Sequence, residues 1–561
     1  MEAGRRLATP LLGLSIFATG FCGLVSEFLL STVSSYILGN SIEQFSVIIA
    51  LMMAMMGVAG ALQKLFPDRR LVEQFIAVET LLALLGGFAP IAIYAGYGLL
   101  ETHFLLVLYA FAGGIGFLIG FELPLVLRIN ALLGRPLSGN LAVILSLDYI
   151  GGFVGALVWT RFLLRELPLT EISFLIAGLN FAIASVTFVY FTWPREGTRM
   201  RPPLLGWLAI VVVALLLTLG FLQNRNWSLE LEQRLYEDRI VFSETTRYQR
   251  IVITRDSARD DYRLFLNGNL QLSSRDEAIY HEQLVHPAMA LADRAERVLV
   301  LGGGAGLAVR EVLSHAGVKA VTLVDLDPRM TELAVSHPIL SGLNRGALRD
   351  SRVQTLLAPG VSGGSLRPVF METDGLDATR LPEREEVARV EIVNIDADRF
   401  LAEIPGLWDV VLIDFPDPSS PELAKLYSRE FYRKLRRVLA PGAVVALQAT
   451  SPYHSREAFL CILRTLESAG YTVLPYHDNV PSFGSWGFLL ATAGGESSED
   501  LRQRASALDH FPNDTRYLTP QVFRSALVFG KGELEARSDE VNTLMRPVLL
   551  SLYLHESWLS D

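Results

Sequence analysis

The chain has 561 residues, a formal net charge of −10 at pH 7, two cysteines and a mean hydropathy of +0.34. The length has room for several domains, while the acidic balance without any dense Lys/Arg cluster argues against a nucleic-acid partner. Cys22 in an apolar run and Cys461 in an expected helix make no disulfide framework, and the positive hydropathy is unusual for a soluble enzyme.

The apolar residues are concentrated at the start. Up to about residue 222, seven apolar stretches recur with short polar breaks: 11–38, 45–65, 71–97, 103–127, 141–163, 172–193 and 204–222. Each approaches the ~20 residues that cross a bilayer as helix. The first is too long for a secretory signal and lacks its small-residue cleavage site, so it is expected to be retained. Glu27, Glu122 and Asp148 stand within or at the edge of these runs, where a carboxylate faces a bundle interior or water. The small-residue runs 112–120 and 151–155 predict close helix packing. These features imply an α-helical transmembrane domain over 1–224.

After Trp227 the pattern changes to mixed charged and apolar sequence, with a small β-rich segment expected at 236–290. The stretch RVLVLGGGAGLAVREVLSHAGVKAVTLVDLD, Arg297 to Asp327, then reads as strand, glycine turn, helix and a second strand ending in an acid. Gly302, Gly303, Gly304 and Gly306 let the backbone come close to a ligand, and Asp325 lies about 20 residues on, where a carboxylate accepts ribose hydroxyls. A Rossmann-like α/β domain binding a nucleoside is expected over 291–495. The Gly-, Pro- and Glu-rich stretch 356–387 is read as a surface insertion. Downstream, VVLI is a buried-strand run and Asp414 follows at its carboxyl end, where open α/β sheets bind ligands. The competing reading of Asp414 is a turn aspartate near Pro416 and Pro418. The tail 500–561 has helical periods and is expected to pack on the catalytic domain. No His/Cys/carboxylate cluster has metal-ligand spacing, so no metal is implied.

The segments TRYQRIVI, LFLNGNLQLSSRDEAIYHEQLVHPAM, the glycine turn, VDLD, NIDADRF, IDFPDP and LYSREFYRKLRRVLAPGAVV together resemble the spermidine synthases, the polyamine aminopropyltransferases, in order and rough spacing from about residue 236 onward. The apolar first part and NVPSFGSWGFLLAT resemble the membrane-anchored bacterial branch. This likeness implies aminopropyl transfer from decarboxylated S-adenosylmethionine to putrescine or another small polyamine, giving spermidine and methylthioadenosine. It implies Asp414 as proton acceptor, with Asp417, Tyr280 and His281 on the amine. It places Gln249, Gly302, Gly303, Gly304, Gly306, Asp325, Asp396, Ala397 and Pro421 around the nucleoside. A homodimer or homotetramer is implied by the resemblance alone.

Two positions depart from the family. Ala305 stands in the glycine turn where relatives have an acid that holds the ammonium of the decarboxylated co-substrate, and PSFGSWGF lacks their pocket tyrosine. Asp327, Asp398 or Glu282 are the candidates to replace the acid, and Phe483 or Trp486 to replace the aromatic face. Alanine also removes a group that repels ordinary S-adenosylmethionine, so another S-adenosyl-dependent transferase, or a non-catalytic polyamine- or nucleoside-binding membrane protein, stands as the alternative. Orientation is contested. Arg5, Arg6, Lys64, Arg69, Arg70, Arg128, Arg135, Arg195, Arg199 and Arg201 lie on the side of the N-terminus, with Arg161 and Arg165 opposite, which with seven spans puts the catalytic half outside. Supply of the co-substrate favours the cytoplasm, so the expectation is a multi-pass cell (inner) membrane protein with a cytoplasmic catalytic domain in contact with the lipid bilayer.

Overall fold

The computed structural model describes residues 2–38, 41–67, 70–100, 103–132, 137–192, 204–349, 353–356, 389–512 and 514–556. All but the first residue of the insertion expected at 356–387 lies outside them. The chain divides into two compact units, Met1–Ile240 and Val241–Asp561.

The first unit is helical. Its long helices are Glu2–Leu38, Ser41–Leu62, Leu71–Leu100, Phe104–Leu132, Leu137–Val158, Leu169–Thr192 and Leu204–Gln233. Seven spans within them are long and apolar enough to cross a membrane, judged by length and composition. The last helix continues past the apolar run that ends at 222, because Leu, Glu and Gln in NWSLELEQ are good helix formers. The small-residue runs are where helices touch: a Cβ on Gly116 would lie 2.7 Å from the Cα of Met52, and one on Gly151 would lie 2.0 Å from the Phe17 carbonyl oxygen. Glu122 is buried in this bundle, and so is Glu79, which the sequence reading passed over.

The second unit opens on an antiparallel sheet of β1 (Arg239–Thr245), β2 (Arg250–Asp256), β3 (Asp261–Leu266) and β4 (Asn269–Ser273), joined in that order. Asn267 and Gly268 form a two-residue hairpin between β3 and β4, both with positive φ, as a primed turn requires. Behind it stands an eight-stranded sheet in the order β11-β12-β10-β9-β5-β6-β8-β7. Its strands are β5 (Arg297–Gly302), β6 (Ala320–Asp325), β7 (Val353–Leu356), β8 (Arg389–Asn394), β9 (Trp408–Asp414), β10 (Leu439–Gln448), β11 (Thr472–Val480) and β12 (Gly484–Thr492). Six neighbouring strands run parallel, and β12 is antiparallel to both β10 and β11. The sheet is therefore mixed and Rossmann-like.

Apolar cores cover both faces of this sheet, which is why its central strands read as continuous runs such as VLVL and VVLI. One core takes Leu501, Phe511, Leu518 and Phe523 from the tail, the other takes Leu549. The chain runs from β5 through β6 to the edge strand β7, steps back to β8 and then crosses to β9 on the other side of β5, so strand order reverses between β5 and β9. Ligands in such sheets bind outside the carboxyl ends of the strands at that reversal.

Candidate active site

Parallel pairing sets Gly302, the last residue of β5, opposite Asp414, the last residue of β9. The glycine turn and the carboxylate expected to accept a proton thus meet at the reversal point. Gly303 has φ +68, and a Cβ there would lie 2.6 Å from Oδ2 of Asp414. Gly304 would carry its Cβ 2.5 Å from Oδ2 of Asp325. The turn needs glycine at both places because two carboxylates press against it.

Asp325 ends β6. Its Oδ2 accepts the amide N–H of Gly304 at 2.9 Å and its Oδ1 that of Asp327 at 2.9 Å. Burial, followed by the nearby charges of Asp327 and Asp414, pushes its carboxyl up to about 6 against those two amides. It holds the turn closed while its residue stays half-buried.

The helix Glu277–Leu291 delivers Tyr280, whose hydroxyl donates to Oδ1 of Asp414 at 2.7 Å. Burial and then Asp414 push that hydroxyl well above the ordinary tyrosine range, so it stays a donor. Phe483 lies 6.2 Å from Tyr280, ring centre to ring centre, and 4.9 Å from Trp486. These rings form an aromatic wall beside Asp414, at the place expected for a cationic chain. His281 points elsewhere. Its Nδ1 sits 2.7 Å from the Glu277 carbonyl oxygen and 3.2 Å from the Glu277 carboxylate. Arg310 joins the same carboxylate at 2.8 Å, and despite burial His281 and Arg310 hold it well below the usual range. His281 thus braces the start of the helix that carries Tyr280.

Asp417 is held by three donors: Gln448 Nε2 at 3.4 Å, Thr450 Oγ1 at 3.2 Å and the Tyr553 hydroxyl at 3.0 Å. Burial pushes its carboxyl up to about 6 against these bonds. Gln448 also donates to the Phe415 carbonyl at 2.6 Å and to the Tyr427 hydroxyl at 2.7 Å, which fixes the loop between the two acids. Gln448, Thr450 and Tyr553 were not found by sequence reasoning, since nothing in their local sequence separates them from core or tail residues; Tyr427 stands in the family-like segment LYSREFYRKLRRVLAPGAVV without being singled out there.

The remaining expected contacts are more dispersed. Gln249 donates to Oδ2 of Asp327 at 3.0 Å, joined there by Thr246 at 2.7 Å. Asp396 caps the helix Ala397–Glu403 by accepting from the amide of Arg399, and its other oxygen pairs with Lys425 at 3.1 Å. Ala397 is buried, and Pro421 begins the short turn Pro421–Ala424 after the acid pair.

The three acids expected to stand in for the one missing at Ala305 are committed elsewhere. Glu282 accepts the amides of Arg516, Tyr517 and Leu518, Asp398 pairs with Lys434, and Asp327 holds Thr246, Gln249 and the amide of Arg329. Ala305 itself packs against the apolar cluster that includes Ile251, Leu264 and Met330.

A family model described as the spermine/spermidine synthase domain matches residues 277–362 and 379–503. Polyamine aminopropyltransferase 1 of Streptomyces coelicolor is 38% identical over 560 residues, covering 99% of this chain and 95% of that protein. The chain belongs to the polyamine aminopropyltransferase family. Two further relatives span nearly the same length: the polyamine aminopropyltransferase of Leptospira interrogans at 36% identity (97% of this chain, 98% of its own) and polyamine aminopropyltransferase 2 of Ralstonia nicotianae at 37% (98% of each). The likeness therefore includes the helical unit as well as the catalytic one.

Proposed function

We propose that the chain transfers an aminopropyl group from decarboxylated S-adenosylmethionine to putrescine, giving spermidine and methylthioadenosine. The observation that carries this is the pairing of Asp414 with the glycine turn, with the Tyr280 hydroxyl on the same carboxylate. The amine nitrogen attacks the methylene carbon next to the sulfonium. A C–N bond forms, the C–S bond breaks, and its electron pair returns to sulfur as the neutral thioether leaves. The sulfonium already activates the carbon, so the protein supplies alignment and a base. Asp414 takes a proton from the substrate ammonium, freeing the lone pair that attacks, and Asp417 holds the other, still charged, end of the amine. The glycine turn, with Asp325, Gln249, Asp396, Ala397 and Pro421, cradles the nucleoside. Incubating the purified full chain with decarboxylated co-substrate labelled in its aminopropyl group and a panel of amines tests this. Labelled spermidine is expected, and its absence with every amine would overturn the reading.

We further propose that the seven apolar helices cross the cell membrane, that the catalytic unit lies on the cytoplasmic side where its substrates are made, and that copies assemble as a homodimer or homotetramer. A reporter fused after Asp561 should be inactive when its activity requires export. Ala305 favours a second reading, transfer from undecarboxylated S-adenosylmethionine. Calorimetry with both nucleosides separates the two, because tighter binding of the carboxylated form supports the second.

A further inference from the structure

The family model ends at residue 503, yet a residue 50 positions later touches the site. Two anchors bring it there. Asn542, buried in the tail, donates to the carbonyls of Ala424 at 2.8 Å and Tyr427 at 3.1 Å, in the loop that follows Asp417. Its own amide donates to Thr465 at 3.0 Å, on the helix Arg456–Ser468. The helix Val548–Glu556 then seats Leu549 in the core beneath the sheet, and Tyr553, one turn on, reaches Oδ2 of Asp417. Opposite it, Thr450 reaches the same oxygen from a backbone with φ +61. That conformation is costly for a β-branched residue and persists where surrounding structure enforces it. Two elements far apart in the chain, the end of β10 and the C-terminal helix, thus converge on one carboxylate oxygen.

We propose that Tyr553 is a positioning residue of the amine site, and that the C-terminal helix is a working part of the active site rather than a packing extension. This rests on the reading of Asp417 as the amine-binding acid. Tyr553 fixes which Asp417 oxygen is left to face a cationic chain, and by donating to the carboxylate it favours the charged form that binds an ammonium.

The test is Tyr553→Phe in the full chain, with steady-state kinetics against putrescine and against the decarboxylated co-substrate. The KM for the amine is expected to rise about ten-fold, as loss of one hydrogen bond to a charged group implies. The kcat should stay within about two-fold, the co-substrate KM should not move, and the acid limb of kcat/KM for the amine should shift to higher pH. Tyr517→Phe serves as the control, since its hydroxyl bonds Asp478 and not a site acid. A merely structural role would lower thermal stability and kcat without moving that limb. A second measurement is the double-mutant cycle with Asp417→Asn, in which Tyr553→Phe should cost little more once the carboxylate is gone. An unchanged amine KM and pH limb, or an equal loss in the Asp417→Asn background, would overturn the inference. A parent chain inactive with every amine would instead overturn the proposed function, and this inference would fall with it.

Discussion

The acids of the catalytic unit and those of the helical bundle are handled in opposite ways. Asp325 is held by two amides, Asp417 by three side chains and Glu282 by three amides. In the bundle, Glu79 and Glu122 are buried and share one side-chain donor, the Thr19 hydroxyl. Glu79 and Glu122 are close enough for their charges to interact. Preorganised donors make a carboxylate part of a rigid site, whereas a buried carboxylate lacking them costs free energy that a fold retains for some other reason. The catalytic unit assembles donors for its acids from its own strands and tail, whereas the bundle leaves two buried carboxyl groups with a single shared hydroxyl.

Disturbing the tightly bonded site should have the largest effect. Gly303→Ala puts a methyl group 2.6 Å from Oδ2 of Asp414 in a left-handed conformation, so turnover should fall on the order of a hundred-fold, as for a catalytic group displaced by about 1 Å. Initial rates with saturating putrescine check this, and a rate within two-fold of the parent would show that the turn does not position the carboxylate. Ala305→Asp should restore a charge partner for the ammonium of the decarboxylated co-substrate and repel the carboxylated one. Binding should shift toward the decarboxylated form by about ten-fold, or about 1.4 kcal/mol. Calorimetry reads this directly, and an unchanged ratio would mean that the position does not see that end of the molecule.

The pH dependence follows from Asp417, whose carboxyl is pushed up to about 6. Its raised value means that it is protonated, and poor at holding an ammonium, below that pH. Amine kcat/KM should therefore fall as pH drops from about 7 to about 5, with the limb removed in Asp417→Asn; a flat profile over that range would contradict the assignment. The smallest effect belongs to the bundle. Under the proposed membrane crossing, Glu122→Gln and Asp148→Asn should leave turnover of the detergent-solubilised chain within about two-fold while altering polyamine distribution across vesicle membranes, because acids within a span line a polar path when they are functional. Equal distributions in parent and variant vesicles would leave the bundle as an anchor.

Much of the catalytic unit was legible because its strands are buried on both faces and its turn needs glycine, so VLVL, GGGAG and VVLID carry their own placement. The long helices of the first unit were legible from their apolar runs, though the last continues beyond its run to Gln233 on helix propensity. What stayed hidden depends on tertiary contact. Tyr553 and Thr450 become site residues only because the tail and the end of β10 fold onto Asp417. His281 sits inside a family-like segment, yet its ring turns to Glu277, a choice set by the buried Arg310 pair. Glu79 did offer a signal, a lone acid in the run AVETLLALL, and went unnoticed.

Whether Asp414 accepts the proton beside the reacting carbon is read by single-turnover spermidine formation in the parent and in Asp414→Asn, with methylthioadenosine binding measured on both. Equal nucleoside binding and a rate lower by about 10²–10⁴ are expected, the range for loss of a positioned base. An Asp414→Asn chain that turns over as fast as the parent would contradict that role.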